Sequence, residues 1–261
     1  MRIAISQVGA SKDVAANLEQ IERLAAAAAS SGARVVLFPE GAMFECLSTA
    51  DELCAAAQPL DGPFVAGLRD AAARHSITLI VGLFESRGPG ERPYNTVVAV
   101  DSAGVVATHR KALLYDAFGY NESDSVEPAP LVADVFDVDG VRFGLITCYE
   151  IRFPEVPRAL VDAGAQVLLV SSAWPVGPAK EDHWTTMVKA RAIENTVYVA
   201  AAGDCGTGLV GRSHIVDPLG YVLAGLAGEP GTACVDVTLE RLDAARLTLP
   251  LLVQRRSTVL A

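Results

Sequence analysis

The sequence predicts a mixed α/β sandwich, in which helices cover sheets that contain both parallel and antiparallel strands. Apolar runs such as 35–38 and 141–147 are hydrophobic on both faces, as strands buried beneath helices are. Segments with helical spacing alternate with these runs, and turn signals such as Asp139-Gly140 mark hairpins. We therefore expect helical layers outside sheets that are partly antiparallel.

The individual elements follow from capping, spacing and turn residues. Helices begin where a polar or glycine–proline segment precedes helical spacing of apolar residues, and they end near glycine. In the first half we expect, in order, a strand at 2–7, a helix capped by Ser11 and ended by Gly32, a strand at 35–38 stopped by Pro39, a helix opened by Asp61-Gly62-Pro63, a strand at 77–84 and a hairpin of 94–100 with 104–109. In the second half we expect strands at 134–138 and 141–147, a helix at 154–163, a strand at 166–171, a helix at 180–195, a strand at 196–202 and a hairpin turn at 218–220.

The composition is that of a well-packed globular protein. Of the 261 residues, 51% are hydrophobic and 20% are charged. The net charge of −10 argues against nucleic acid and anionic membranes as partners, since both need clustered Lys and Arg. The apolar stretch at residues 1–7 is too short and too interrupted to predict a signal peptide. No apolar run approaches the ~18 residues that a membrane-spanning helix needs. The cysteines form no CxxC pair, so they predict no zinc site. We expect one cytoplasmic domain, 1–261, with reduced thiols, no metal site and a small substrate.

Cys148 is the first candidate for a catalytic residue. It follows the apolar run 141–147 directly, and a segment opened by Pro154 comes next, so a thiol points out of the end of a buried strand. Free cysteines are also among the most buried residues in proteins, so a plain core role is the alternative.

Two further polar residues share this placement at strand ends. Glu40 follows the strand 35–38, and Lys111 follows the strand 104–109. Side chains just past the carboxyl ends of strands converge on one crevice in an open α/β sheet. A neutral thiol is a weak nucleophile, so Glu40 can serve as its base and Lys111 as the cation that holds developing charge. His109 points the same way as Lys111, which leaves a Cys/His dyad open as an alternative.

A glycine-rich motif elsewhere does not predict a nucleotide site. Residues 206–211 match GxGxxG and follow a predicted strand. The residues after Gly211 continue as β-type chain, whereas a dinucleotide site needs a helix that begins there. We therefore expect no bound nucleotide.

Three ordered segments resemble the signatures of the nitrilase superfamily, the carbon–nitrogen hydrolases. The segments are Leu37-Phe38-Pro39-Glu40-Gly41, His109-Arg110-Lys111 and Cys148-Tyr149-Glu150-Ile151-Arg152-Phe153-Pro154-Glu155. The likeness extends over nearly the whole chain and includes 3–7, 190–195 and 211–220. It implies a four-layer α-β-β-α sandwich with mixed sheets.

The resemblance also implies roles for individual residues. Cys148 would be the nucleophile, Glu40 the general base and Lys111 the group that stabilises the tetrahedral intermediate, without a metal or organic cofactor. A second glutamate of the family matches Glu122, with Glu127 as a nearby rival. Many relatives carry His two residues after the lysine, and this chain has Leu113 there.

The run that begins at Cys148 resembles the Nit-type amidase branch of the superfamily. It implies an amidase acting on linear amides, first of all a small ω-amide of a carboxylic acid. The N–H of Tyr149 could help to hold the oxyanion, Arg152 could bind a substrate carboxylate, and Trp174 could wall the pocket. Purely structural roles are the alternatives: Arg152 could form an ion pair with Glu150 or Glu155, and Trp174 could be a core residue.

Other functions and an assembly state stay open from the sequence. Hydrolysis of N-carbamoyl amino acids or nitriles is the alternative within the superfamily, and a binding protein without turnover is the alternative from another class. Relatives form homodimers or larger oligomers, and the tail at about 246–261 carries the apolar stretch 247–252. We expect this tail at an interface between copies.

Overall fold

In the computed structural model, the chain is described over residues 1–255. Two six-stranded sheets and one short hairpin are formed within these residues. The strands are β1 (Arg2–Gln7), β2 (Val35–Leu37), β3 (Thr78–Glu85), β4 (Tyr94–Asp101), β5 (Gly104–Arg110), β6 (Asp116–Ala117), β7 (Tyr120–Asn121), β8 (Val135–Val138), β9 (Val141–Thr147), β10 (Val167–Ser172), β11 (Tyr198–Gly203), β12 (His214–Val216), β13 (Val222–Gly225) and β14 (Gly231–Asp236).

The two large sheets have the same plan. The first has the order β14-β1-β2-β3-β4-β5, and the second has the order β13-β12-β11-β10-β9-β8. In each sheet three central strands run parallel, β1 to β3 in one and β9 to β11 in the other, and the outer strands pair antiparallel. The predicted mixture of parallel strands and hairpins is therefore correct.

Most helices lie on the outer faces of the sheets, whereas the helix near the end of the described chain packs Leu242 into the core between the sheets. They are α1 (Val14–Ser30), α2 (Ala50–Ala56), α3 (Pro63–His75), α4 (Glu155–Asp162), α5 (Lys180–Asn195), α6 (Leu239–Thr248) and α7 (Leu251–Gln254). Two 3-10 turns, Glu122–Asp124 and Cys148–Arg152, carry residues of the site described below. Within residues 1–255, none of these helices has both the length and the hydropathy needed to cross a bilayer.

Three hydrophobic clusters separate the layers. Ile5 and Leu37 from the first sheet pack with Phe143 and Leu169 from the second, so the two sheets face each other across a shared core. A second cluster joins α1 and α3 to the outside of the first sheet, and a third joins α4 and α5 to the outside of the second. The chain is thus a four-layer α-β-β-α sandwich, as the resemblance implied.

Some elements differ from those expected. Asp13, and not Ser11, caps α1, because its carboxylate accepts hydrogen bonds from the N–H groups of Ala15 and Ala16. The serine instead pairs with Asn17. Helices α2 and α6 and strand β14 were not predicted; β14 is an edge strand with half-buried residues, which leaves little hydrophobic alternation to detect.

The predicted interface tail is described only in part. Residues 256–261 lie outside the described residues. Before them, Leu247 in α6 is 83% exposed and Val253 in α7 is 86% exposed. Arg255 forms an ion pair with Asp162, which ties the end of the described tail to α4.

Candidate active site

Three polar side chains lie just past the carboxyl ends of parallel or hairpin strands and line a single cavity. Glu40 follows β2, Lys111 follows β5 and Cys148 follows β9. The same cavity is also lined by Glu122 and Tyr115. The convergence expected from the strand ends is therefore present, and it joins residues from both sheets.

Glu40 is buried and fully hydrogen bonded. Its Oε1 accepts from Lys111 Nζ at 2.8 Å and from Asn95 Nδ2 at 2.7 Å, and its Oε2 accepts from the N–H of Ala173 at 2.7 Å. Three fixed donors hold the carboxylate in one orientation. Such fixation is what a general base needs if it is to face one reacting atom.

Two glycines make room for this glutamate. A Cβ on Gly82 in β3 would lie 2.5 Å from the backbone nitrogen of Gly41 and 2.7 Å from the Cα of Glu40. Gly41 itself has φ +59°, a left-handed conformation that favours glycine. The absence of both side chains lets the strand and the loop with Glu40 approach each other closely.

Lys111 is buried between two glutamates. Its Nζ donates to Glu122 Oε2 at 2.7 Å and Oε1 at 3.0 Å, in addition to Glu40. Burial alone disfavours the charged ammonium, but Glu122 and Glu40 outweigh it and hold the pKa of Lys111 well above its usual value. Lys111 is therefore a fixed cation at neutral pH, and it needs no help from position 113, where Leu113 packs against the core beside Cys148.

Glu122 is also anchored at both ends. Besides Lys111, its Oε2 accepts from the N–H of Tyr115 at 2.7 Å, and Asn95 Nδ2 donates to its Oε1 at 3.0 Å. The rival Glu127 lies apart and pairs with Arg92 at 2.7 Å. Of the two candidates, Glu122 is the glutamate that the fold brings to Lys111.

Cys148 stands at a sharp bend between β9 and the 3-10 turn Cys148–Arg152. Its φ of +46° is left-handed, which a residue other than glycine adopts only when its surroundings impose it. The neighbours of Cys148 are Thr147 and Tyr149, so the bend forms without an adjacent glycine. The bend places Cys148 at the wall of the cavity, where it also packs against the third hydrophobic cluster.

The thiol of Cys148 is neutral at rest. Burial raises its pKa well above the usual range and the negative charge of Glu40 adds to this effect, whereas Lys111 and the hydroxyl of Ser172 act in the opposite direction. A neutral thiol needs a base at the moment of attack. Glu40, which lines the same cavity, is the candidate for that base.

The Cys/His alternative is not supported by the geometry, because His109 has another partner. Its Nε2 lies 2.6 Å from Glu150 Oε2. Glu150 also accepts from the N–H of Thr147 at 2.9 Å and from the N–H of Ala112 at 2.8 Å. Burial opposes the charge of Glu150, but His109 and the two N–H donors lower its pKa, so a buried carboxylate locks the Cys148 segment to the Lys111 segment.

The three predicted substrate-binding residues lie together beside the cavity. Tyr149 packs edge-on against Tyr115, with ring centroids 5.2 Å apart. The Cζ of Arg152 lies 4.5 Å from the ring centroid of Trp174. Trp174 is buried in the core and donates through Nε1 to the carbonyl of Lys180 at 2.8 Å. Its ring is therefore a fixed surface against which the guanidinium of Arg152 packs.

Arg152 does not form the structural ion pair with Glu150 or Glu155 that was its alternative role. No ion pair among residues 1–255 includes Arg152. Glu150, one of its two expected partners, binds His109 instead. Its Nη1 lies 3.5 Å from His183 Nδ1, while Nε and Nη2 are buried without a hydrogen-bond partner. Two buried donors are thus left for a group that the described protein does not provide.

Several residues of the site were not predicted from the sequence. Asn95 bridges Glu40 and Glu122. The expected hairpin of β4 with β5 contained a signal for this residue, because the register of the hairpin brings Asn95 beside Lys111. Lys180 and Tyr115 could not be found in this way, since no strand end positions them. Cys46 also lines the cavity, and burial raises its pKa well above the usual value.

The glycine-rich motif has the non-helical setting that was expected. Residues 206–211 connect β11 to β12, and no helix follows Gly211. Within residues 1–255, no group of three or more His, Cys, Asp or Glu side chains is arranged to hold a metal ion.

A thiol, a carboxylate and an ammonium around one buried cavity define an enzyme that transfers acyl groups through a cysteine. The model of the family "Carbon-nitrogen hydrolase" matches residues 2–247. The chain belongs to this family, as the three segments predicted.

Individual relatives place the chain in the same superfamily. It is 36% identical to a deaminated glutathione amidase of Escherichia coli O157:H7, over 98% of this chain and 97% of that protein. It is 38% identical to a hydrolase of Mycobacterium tuberculosis strain H37Rv, over 94% and 92%. The amidase from Nesterenkonia AN1, of the nitrilase superfamily, superposes with a TM-score of 0.78 at 31% identity, over 96% of this chain and 95% of that chain. The protein is thus a carbon–nitrogen hydrolase whose relatives include Nit-type amidases.

Proposed function

We propose that this enzyme hydrolyses the ω-amide of a small carboxylic acid through a thioester on Cys148. The observation that carries the proposal is the cavity shared by Cys148, Glu40, Lys111 and Glu122. One carboxylate and one buried cation, hydrogen bonded to each other at 2.8 Å, line the cavity together with the thiol. This set suits attack on an amide carbonyl, which needs both a base and an electrostatic clamp.

In the first half of the reaction, Cys148 Sγ attacks the carbonyl carbon and its proton passes to Glu40. The oxyanion forms against Lys111 Nζ and the N–H of Tyr149, which lies in the first turn of the 3-10 segment, where N–H groups lack partners within the helix. Glu40 then returns the proton to the nitrogen, the C–N bond breaks, and ammonia leaves. An acyl thioester remains on Cys148.

In the second half, Glu40 takes a proton from water as the water oxygen attacks the thioester. The C–S bond breaks, the proton returns to the sulfur, and the carboxylic acid is released. Glu122 holds Lys111 throughout by two hydrogen bonds. The sum is one amide plus water giving one acid plus ammonia, with no cofactor involved.

Arg152 supports a substrate that carries a carboxylate. Its buried Nε and Nη2 have no hydrogen-bond partner, and a planar guanidinium can bind a carboxylate through two parallel bonds. Trp174 fixes the guanidinium plane by stacking. N-carbamoyl amino acids also carry a carboxylate, so their hydrolysis is the second candidate, and nitrile hydrolysis the third.

Deaminated glutathione belongs in the substrate panel for a separate reason. The deaminated glutathione amidase of Escherichia coli is 36% identical to this chain over 98% of this chain's length. We therefore include deaminated glutathione beside glutaramate, an N-carbamoyl amino acid and a nitrile. A protein that binds these compounds but releases no product would be the silent binding module.

The decisive experiment traps the acyl-enzyme. The protein is mixed with a slow amide substrate, quenched in acid, digested with trypsin and analysed by mass spectrometry. We expect the acyl group on peptide 143–152, which contains Cys148. C148A should give no adduct and no product, and C54A should behave like the wild type. An adduct on the peptide with Cys46 would overturn the assignment.

We further propose that residues 1–261 act as one cytoplasmic domain that forms a homodimer. The family match over 2–247 and the five free cysteines support the first part. Leu247 and Val253 are large apolar side chains exposed on neighbouring helices, which supports a contact between copies.

Light scattering tests the dimer. We expect twice the monomer mass for the wild type and a monomer for L247E/V253E. L131E changes another exposed leucine, 49% accessible, and should leave the mass unchanged. A monomeric wild type would contradict the proposal.

A further inference from the structure

Lys180, the first residue of α5, is a buried cation that the mechanism above does not use. Its side chain belongs to a residue only 2% exposed, and its Nζ donates to the hydroxyl of Tyr115 at 2.7 Å. Among the ion pairs of residues 1–255, none includes Lys180. A buried ammonium without a carboxylate is unusual, because burial of an unpaired charge is costly.

Lys180 lies close to Arg152, and the two cations share aromatic neighbours. Lys180 Nζ lies 4.4 Å from the ring centroid of Phe118 and 5.4 Å from that of Trp174. Arg152 Cζ lies 5.9 Å and 4.5 Å from the same two centroids. Burial, and then the charge of Arg152, lower the pKa of Lys180. The ring faces stabilise both cations in part, but a counter-charge is missing.

The other charges of the site cannot supply that counter-charge. Glu40 and Glu122 both bind Lys111, and Glu150 binds His109. The two cations beside Trp174 are therefore left without an acid partner within the described chain. A molecule that binds here would gain most by carrying negative charge.

Tyr115 connects this cation pair to the reacting centre. Its ring lines the cavity with Cys148, while its hydroxyl accepts the hydrogen bond of Lys180. The cations thus lie one tyrosine side chain away from the carbonyl that Cys148 would attack. A substrate that carries an amide at one end of its acyl chain and a carboxylate at the other would present the first group to Cys148 and the second to the cations.

We propose that Lys180 and Arg152 form a two-cation subsite for the carboxylate of the substrate's acyl part, and that Lys180 determines the preference for anionic over neutral amides. This inference rests on the proposed amidase function. It adds a residue and a selection rule to it: the enzyme discriminates by charge at the end of the acyl chain remote from the amide.

The test compares glutaramate with pentanamide, which has a methyl group in place of the carboxylate. For K180M we expect the KM for glutaramate to rise by about 10- to 100-fold, the range for one lost charge-assisted hydrogen bond. The kcat for glutaramate should change by less than about threefold, since Lys180 does not contact the reacting atoms, and kcat/KM for pentanamide should stay the same or increase.

Two further variants separate charge recognition from structural damage. K180R keeps the cation and should recover at least part of the glutaramate affinity. K189M removes an exposed lysine from the same helix and should behave like the wild type. Circular dichroism and thermal unfolding confirm that each variant is folded.

The possible outcomes are distinct. If K180M lowers turnover of both amides equally, or leaves the ratio of their kcat/KM values unchanged, the subsite is wrong while the amidase function stands. If the wild type hydrolyses no amide of the panel, the proposed function itself is wrong. A selective rise in KM for glutaramate supports the inference.

Discussion

Replacement of Glu40 by glutamine is expected to lower kcat/KM for the preferred amide by about 10³-fold, within the range for loss of a general acid–base group. In the proposed mechanism the carboxylate takes the thiol proton, protonates the leaving nitrogen and activates water, so each chemical step would lose its proton carrier. Glutamine has nearly the same shape and can still accept from Lys111, which limits the structural change. The loss should therefore appear in kcat more than in KM.

The same variant should make Cys148 easier to alkylate. Burial raises the pKa of the thiol most, and the negative charge of Glu40 raises it further, whereas Lys111 lowers it. Removal of the carboxylate leaves Lys111 in place, so the thiolate of Cys148 becomes more accessible near neutral pH. Labelling by iodoacetamide should speed up while amide hydrolysis slows down.

These opposite changes make the experiment selective. The labelling rate of peptide 143–152 is followed by mass spectrometry, and hydrolysis is followed by ammonia release. E127Q removes an acid that is bound by Arg92 at the surface and should change neither rate. If E40Q slows labelling and hydrolysis alike, Glu40 supports the structure of the loop and is not the base.

The strand ends allowed the centre of the site to be predicted from the sequence. Glu40, Lys111 and Cys148 each follow an apolar run that is recognisable as a strand, and the ends of such strands meet. The four layers followed from the same runs once the resemblance was known. Chain connectivity alone was thus sufficient to bring an acid, a cation and a thiol to one place.

The partners of these residues depend on distances that a sequence pattern does not contain. Glu150 lies only two positions from Cys148, yet its ties to Ala112 and His109 arise because two separate loops meet. Lys180 reaches Tyr115 from a helix start that follows a left-handed residue, Ala179, for which spacing gives no rule. Packing decides such contacts, and propensity does not.

Replacement of Lys111 by methionine is expected to have the largest effect on stability. The ammonium binds Glu40 at 2.8 Å and Glu122 at 2.7 Å, and all three side chains are at most 9% exposed. Without it, two buried carboxylates keep only neutral N–H donors, and removal of one member of a buried ion pair costs about 3–5 kcal/mol. Activity should also fall by about 10²–10³, the range for loss of one oxyanion donor.

A surface lysine provides the matched control. Lys12 also faces two acids, Glu52 at 2.6 Å and Glu45 at 3.8 Å, but its side chain is 50% exposed. Exposed pairs contribute little to stability, because water screens them. K12M should therefore lower the free energy of unfolding far less than K111M, although the two changes remove the same charge.

The stability of the wild type and that of K111M should depend on pH in different ways. In the wild type the pKa of Lys111 is raised above the usual 10.5, so its contribution is complete below that value and is lost only as pH rises through the higher folded-state pKa. In K111M the folded state favours proton uptake by the two facing carboxylates, so the stability of the variant should rise as pH falls from about 7 to 5.

Urea unfolding of K111M, K12M and the double variant K111M/E122Q decides the origin of this stability loss. The double variant removes one of the two facing charges and should be more stable than K111M near pH 7, even though it differs from the wild type at one more position. That recovery is expected only if charge repulsion causes the loss. If instead the lost packing of the lysine side chain caused it, E122Q would add its own cost, and the difference between K111M and the wild type would not depend on pH.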